Sequence, residues 1–152
     1  MDFFDTSLLS SDNLMLVLQK FSDADPAEKK VPAYKFAVCD RNGQRLGECA
    51  LRLGYNDRLY YGGHIGYGID EDHRGHHYAE EACRILFRLA AAHGMEYLYI
   101  SCTPDNLPSY RTCEHLGGAL LETAELPEDN DMREKGLTHV CVFRFDLTRE
   151  VP

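Results

Sequence analysis

The chain has 152 residues, of which 44% are hydrophobic and 27% charged, and it carries a formal net charge of −9. That length suits one domain spanning 1–152 with a buried core, and the acidity argues against nucleic acid or an anionic membrane as partner, since both need a positive field. No apolar run approaches the roughly 20 residues that cross a bilayer, and the N-terminal Met1-Asp-Phe-Phe-Asp5 is acidic where a secretion signal is basic. The six cysteines (Cys39, Cys49, Cys83, Cys102, Cys113 and Cys141) are scattered through apolar segments without a CxxC pair. A cytoplasmic protein with reduced, buried thiols is expected.

In chain order, residues 13–20 read as a first strand, followed by a polar linker over 22–30 that contains Asp25-Pro26. Residues 33–39 alternate and form a second strand. Asp40-Arg-Asn-Gly43 is a hairpin turn, because Asn-Gly supplies the positive φ that such turns need. Residues 45–53 are the third strand; a turn over 54–58 leads into a fourth, over 59–69. The strongest helix covers 77–93, where Ala79, Ala82, Cys83, Leu86, Leu89 and Ala90 recur at helical spacing and Gly94 stops it. Residues 97–102 form a buried fifth strand, expected to lie parallel to the fourth across the helix. A second helix runs from 108 to 116 with Pro108 near its start and Gly117-Gly118 as its stop. Two final strands, near 119–122 and 139–145, flank an acidic excursion over 127–136. The fold class is mixed α/β (α+β).

The stretch Ile69-Asp-Glu-Asp-His-Arg-Gly-His-His-Tyr-Ala79 carries the most chemical information. It reads as strand, short basic turn, helix N-terminus, which leaves backbone N–H groups and the positive end of a helix dipole at one spot. Phosphate or diphosphate binds such a spot, so a phosphorylated cofactor is expected. His73, His76 and His77 also invite a metal cluster, but no further Cys or carboxylate sits at a zinc-site spacing. Histidines framing an anion are the simpler account, and no metal is expected.

This order of elements, with Arg74-Gly75-His76-His77-Tyr78-Ala79 and with Asn106-Leu-Pro-Ser109 followed by Glu114-His-Leu-Gly-Gly118, resembles the GNAT superfamily of acetyl-CoA-dependent N-acetyltransferases. The first segment stands where the family has Gln/Arg-x-x-Gly-x-Gly/Ala, and the likeness covers residues 33–122 well. It implies a mostly antiparallel central sheet around a parallel strand–helix–strand core, and acetyl transfer from a CoA thioester to a primary amine. Two departures stand out. His77 replaces the family glycine before Tyr78. Only residues 21–32 are available where the family places two helices that wall the acceptor site, so the acceptor pocket is reduced, open, or completed by a second subunit in a homodimer.

Residue by residue, the resemblance implies that Arg74, Gly75, His76, His77, Tyr78 and Ala79 hold the diphosphate. The backbone of Tyr67, Gly68 and Ile69, at the open edge where the fourth and fifth strands of the family splay apart, would pair with the pantetheine arm, and Asn106 would bind it from the far side. The Tyr67 N–H, seven residues before Arg74, would polarise the thioester carbonyl. Cys113 occupies the position of the family's proton-donating Tyr; it is either a donor to the leaving thiolate or a small buried residue, and Tyr110, one turn earlier, is a second candidate. For the general base, His64 stands beside the position of the family's carboxylate and Glu48 lies on the adjacent strand. The tyrosines Tyr55, Tyr60, Tyr61 and Tyr67 either line an acceptor pocket or follow strand propensity. The acidic loop at 125–131 either attracts a cationic acceptor or is a solvated excursion. Besides the enzyme, two readings stay open: a non-catalytic acyl-CoA-binding sensor, and an interaction module without cofactor.

Overall fold

The structure, a computed structural model, describes residues 9–147; the acidic segment at Met1–Asp5 lies outside them. Strand β1 (Leu14–Ser22) pairs antiparallel with β2 (Ala33–Asp40), which turns at Gly43 into β3 (Arg45–Arg52). The hairpin is closed by Asp40, whose carboxylate accepts the N–H groups of Asn42 and Gln44, both at 2.9 Å. Only a single 3-10 turn at Pro26–Glu28 stands between β1 and β2, so the helical region there is reduced as the spacing requires.

The segment after β3 departs from the expected continuous strand over 59–69. Its first half is a short helix, α1 (Asp57–Gly62), capped by Asn56, whose side-chain oxygen accepts the Leu59 N–H at 3.0 Å. Asn is a strong N-cap, and Gly62-Gly63 ends the turn with Gly63 at φ +81°. Tyr60 and Tyr61 therefore sit on a helix, and only Ile65–Ile69 remains as strand β4. Helix α2 (Tyr78–Ala92) follows, then β5 (Tyr97–Cys102), α3 (Leu107–His115), β6 (Ala119–Glu125), a 3-10 turn at Asp131–Lys135, and β7 (His139–Asp146).

The strands form two sheets, ordered β1-β2-β3-β4 and β5-β7-β6. No ladder joins β4 to β5 among the described residues, as the splayed edge of the resemblance implies. One residue joins the sheets instead: the His64 N–H donates to Tyr99 O at 2.7 Å, and its ring Nδ1 accepts the Tyr99 N–H at 2.9 Å. An imidazole thus takes the place of a backbone acceptor, and the ladder does not propagate. A Cβ at Gly63 would stand 3.1 Å from the Ser101 nitrogen and 3.3 Å from Tyr99 O, so the sheets touch at this end and part beyond it.

Helix α2 fills the space behind the parted sheets. Ala82, Cys83, Ile85, Leu86, Phe87, Leu89 and Ala90 are buried, and Phe87 meets Phe145 of the second sheet at 5.1 Å between ring centroids. The main core joins both sheets through this helix, and a smaller cluster gathers Leu126, Val140 and Val142 under Tyr60, Tyr61 and Tyr99. All six cysteines are buried and free. Among the described residues no helix is long and apolar enough to cross a membrane.

Candidate active site

Where the sheets part, a cleft of about 660 Å³ opens between β4, the turn before α2, and α3. Its β4 wall is built by register. Between Gly47↔Ile69 and Leu51↔Ile65 the β3–β4 pairing is unbroken, and Asp70 N–H donates to Leu46 O just beyond it at 2.8 Å. Hydrogen-bonded partners alternate in an antiparallel ladder, so Gly66 and Gly68 bond to β3. The N–H and C=O groups of Tyr67 and Ile69 turn away from β3 toward the gap. Arg74 uses one of them: its Nε donates to Ile69 O at 2.9 Å. The β3 strand must approach closely here, since a Cβ on Gly47 would stand 2.2 Å from Gly68 O.

The second wall is the turn itself. Gly75 has φ +91°, and His77 takes the left-handed conformation that glycine would favour, φ 61° and ψ 25°. The departure from the family glycine is thus absorbed without changing the backbone class, at a cost of about 1 kcal/mol. His77 caps α2 without a side-chain hydrogen bond. The first-turn N–H groups of the helix therefore have no capping acceptor of that kind and face an anion-ready spot.

The third wall is α3. Asn106 caps it, its Oδ1 accepting the Ser109 N–H at 3.3 Å, and the amide Nδ2 retains its own donors. Ser109 in turn meets the Tyr67 hydroxyl at 2.7 Å, so the phenol ties β4 to α3. Burial is the main reason the Tyr67 hydroxyl is pushed well above the ordinary tyrosine range and stays protonated.

Of the expected cofactor residues, Tyr67, Gly68, Ile69, Arg74, Gly75, His77, Tyr78, Ala79 and Asn106 line one cleft, while His76 lies on the exposed side of the turn, its ring near that of Tyr78. The cleft also takes in His73, Ser109, Arg111, Thr112 and His115. The last three recur with Pro108 at 108, 111, 112 and 115, one stripe of α3, and that helical spacing was the available signal. Two arginines and three histidines line this cleft, and no acidic residue does.

The expected proton-transfer residues are placed elsewhere. His64 is fully buried. Because Nδ1 accepts from Tyr99, Nε2 must carry the proton and donate to Gly54 O at 2.7 Å. No ring lone pair is left for an incoming proton, and burial first of all lowers its pKa to about 4. Cys113 has no exposed surface, and burial pushes its thiol up to about 12, too weak an acid to serve a thiolate at neutral pH. Tyr110 is half-buried edge-on to Phe143 at 5.1 Å and does not line the cleft. Glu48 pairs in register with Gly68, on the opposite face of the sheet from the Tyr67 phenol. There it is exposed, with Arg45 at 3.4 Å and Lys35 at 3.7 Å. Tyr60 donates its hydroxyl to Glu122, and this bond foremost pushes its pKa up to about 12.

Among curated proteins none matches the sequence. Solved structures do resemble the fold. A GNAT-family acetyltransferase from Bacillus anthracis superposes with TM-score 0.60 at 18% identity, over 76% of this chain and 67% of the other. The ribosomal-protein-S5-alanine acetyltransferase of Vibrio fischeri gives 0.60 at 18%, over 79% and 64%. The spermidine N-acetyltransferase of Vibrio cholerae, solved with CoA and spermine, gives 0.61 at 11%, over 79% and 69%. This chain thus spans about two thirds of the length of the structures it resembles. The family model described as an acetyltransferase (GNAT) domain matches residues 10–119. That match covers well over half of the chain, and the chain belongs to the GNAT acetyltransferases.

Proposed function

We propose that the protein is an acetyl-CoA-dependent N-acetyltransferase acting on a primary amine. The observation that carries this is the cleft: in a chain of net charge −9 its lining among the described residues holds Arg74, Arg111, His73, His77 and His115, and Glu80, which meets His115 at the outer end, lies outside that lining. Such a lining suits the phosphates of CoA. Structural relatives solved with CoA or acetyl-CoA support the same donor.

In this reading the first-turn N–H groups of α2, with Arg74 and Arg111, hold the diphosphate. The gap-facing groups of Tyr67 and Ile69 pair with the amides of the pantetheine arm, and Asn106 binds it from α3. The Tyr67 N–H donates to the thioester carbonyl oxygen as negative charge develops there. The acetyl C–S bond breaks as the amine C–N bond forms, and the thiolate takes a proton from water. The amine's proton leaves on the other face of the sheet, through water toward Glu48. The −9 charge favours a cationic acceptor over nucleic acid or membrane. Buried, free cysteines fit a cytoplasmic setting. The sheet face left open by the short β1–β2 connection is where a second subunit would complete the acceptor pocket.

A second reading, an acyl-CoA-binding sensor, is favoured by one observation: His64 and Cys113 are both locked in the core. Calorimetric titration with acetyl-CoA tests what the two readings share. Binding that Arg74→Ala combined with His77→Ala weakens at least about tenfold, the worth of one charge-assisted bond, supports the cleft. No binding at millimolar acetyl-CoA overturns both. Free-thiol release in the presence of polyamine and peptide amines then separates enzyme from sensor.

A further inference from the structure

At the outer end of the cleft three potential metal ligands converge from two helices. His77 is the N-cap of α2, Glu80 lies three residues on in its first turn, and His115 is the last residue of α3. Their ligating atoms all lie within 4.8 Å of one another. His115 Nδ1 stands 3.4 Å from a Glu80 carboxylate oxygen, and the two imidazole rings are 5.9 Å apart between centroids. Two ligands at about 2.1 Å from a tetrahedral ion are about 3.4 Å from each other. The Glu80–His115 pair already has that spacing.

We propose that His77, Glu80 and His115 form a binding site for a divalent transition metal, with zinc the best-suited ion. The chemistry of the donors separates this from the anion site beside it. A carboxylate among the ligands repels phosphate, whereas two imidazoles and one carboxylate are a donor set for Zn²⁺ with positions left for water. The positive end of the α2 dipole opposes a cation, and the first-turn carboxylates Glu80 and Glu81 offset it. His77 has a left-handed backbone, and its imidazole lies beside that of His115. The spacing of His73, His76 and His77 pointed to a different trio; the third ligand of this one comes from α3, 38 positions after His77 in the chain.

The test uses the full chain, stripped with a chelator, without CoA, titrated with Zn²⁺ by calorimetry at pH 7.5. One equivalent is expected to bind. Affinity should fall by more than the ~10-fold that losing an outer-shell partner costs in Glu80→Gln, His115→Ala and His77→Gly. His77→Gly keeps the left-handed turn, so its loss of metal is not a loss of fold, and thermal melts check the other two. His139→Ala, an exposed histidine far along the chain on β7, should bind as wild type. Lowering the pH to 5.5 should weaken binding, because imidazole ligands must be unprotonated. No stoichiometric uptake overturns the site and leaves Glu80–His115 as a surface ion pair. So does binding that the cluster variants keep or that His139→Ala loses. Since CoA is absent throughout, failure here is distinct from failure of the acetyl-transfer reading.

Discussion

The two faces of the β3–β4 pair are built on opposite terms. On the α2 side, the cleft is made mostly of backbone: ladder groups of Tyr67 and Ile69 turned outward by register, and helix N–H groups left uncapped at His77. On the other side, Glu48, Lys35 and Arg45 lie exposed, and the connection from β1 to β2 carries a single 3-10 turn at Pro26–Glu28. A face built from backbone is rigid and changes little with side chains. A face built from side chains and loops is where substrate choice is set. In the proposed function, cofactor recognition rests on strand spacing and helix position, and acceptor recognition on what covers the open sheet.

Substitutions that alter strand spacing should therefore strike the cofactor face hardest. Gly47→Ala drives a Cβ to within 2.2 Å of Gly68 O, backbone that cannot rotate away. It should cost about 3 kcal/mol of stability and weaken acetyl-CoA binding together, read by denaturant melts and calorimetry. Retained affinity in a destabilised variant would break the link between β3–β4 spacing and the cleft.

The pin between the sheets should show itself as pH dependence. His64 is neutral in the fold with its pKa lowered from 6.5 to about 4, so the unfolded chain binds one more proton between those values. Stability from this residue is complete above about pH 6.5 and is lost as pH falls toward 4, by up to about 3 kcal/mol. Urea midpoints across that window check it. His64→Gln should flatten the slope, and an unchanged slope would place the titration elsewhere.

Smaller effects sharpen the contrast. Arg111→Ala should weaken acetyl-CoA binding about tenfold while leaving the melting temperature in place, since the side chain is exposed on α3. His77→Gly should relieve the left-handed backbone and raise stability by about 0.5–1 kcal/mol, with acetyl-CoA affinity within about threefold of wild type. The least expected change is for Glu48→Gln: about 0.5 kcal/mol or less in stability, because its ion pairs are exposed. A drop in amine turnover with unchanged acetyl-CoA affinity would give Glu48 its proton-transfer role; no drop would remove it.

Local patterns were legible in the sequence where one element carried all its own signals. Apolar residues at helical spacing between a basic turn and Gly94 defined α2 to within a residue at each end, and Tyr97–Cys102 emerged as β5 unchanged. Arg74-Gly75-His76-His77-Tyr78-Ala79 marked the turn into α2 because glycine and a helix start are local properties. At α1 two local signals compete, the strand propensity of Tyr60 and Tyr61 and the Asn56 cap, and the cap prevails. Elsewhere a residue's role depends on a distant partner. His64 titrates near neutrality in isolation, but Gly54 and Tyr99 engage both of its nitrogens in the fold.

What can be read from the chain alone is the element order outside α1, the glycine-bearing basic turn before α2 and the short connection between β1 and β2. All three follow from propensity, spacing and chain length. The tertiary structure alone settled that the His64 ring bridges β4 to β5, that Cys113 is core, and that Arg111 and His115 line the cleft with the turn from α3. Those depend on burial and on contacts between residues far apart in the chain, for which local periodicity carries no signal.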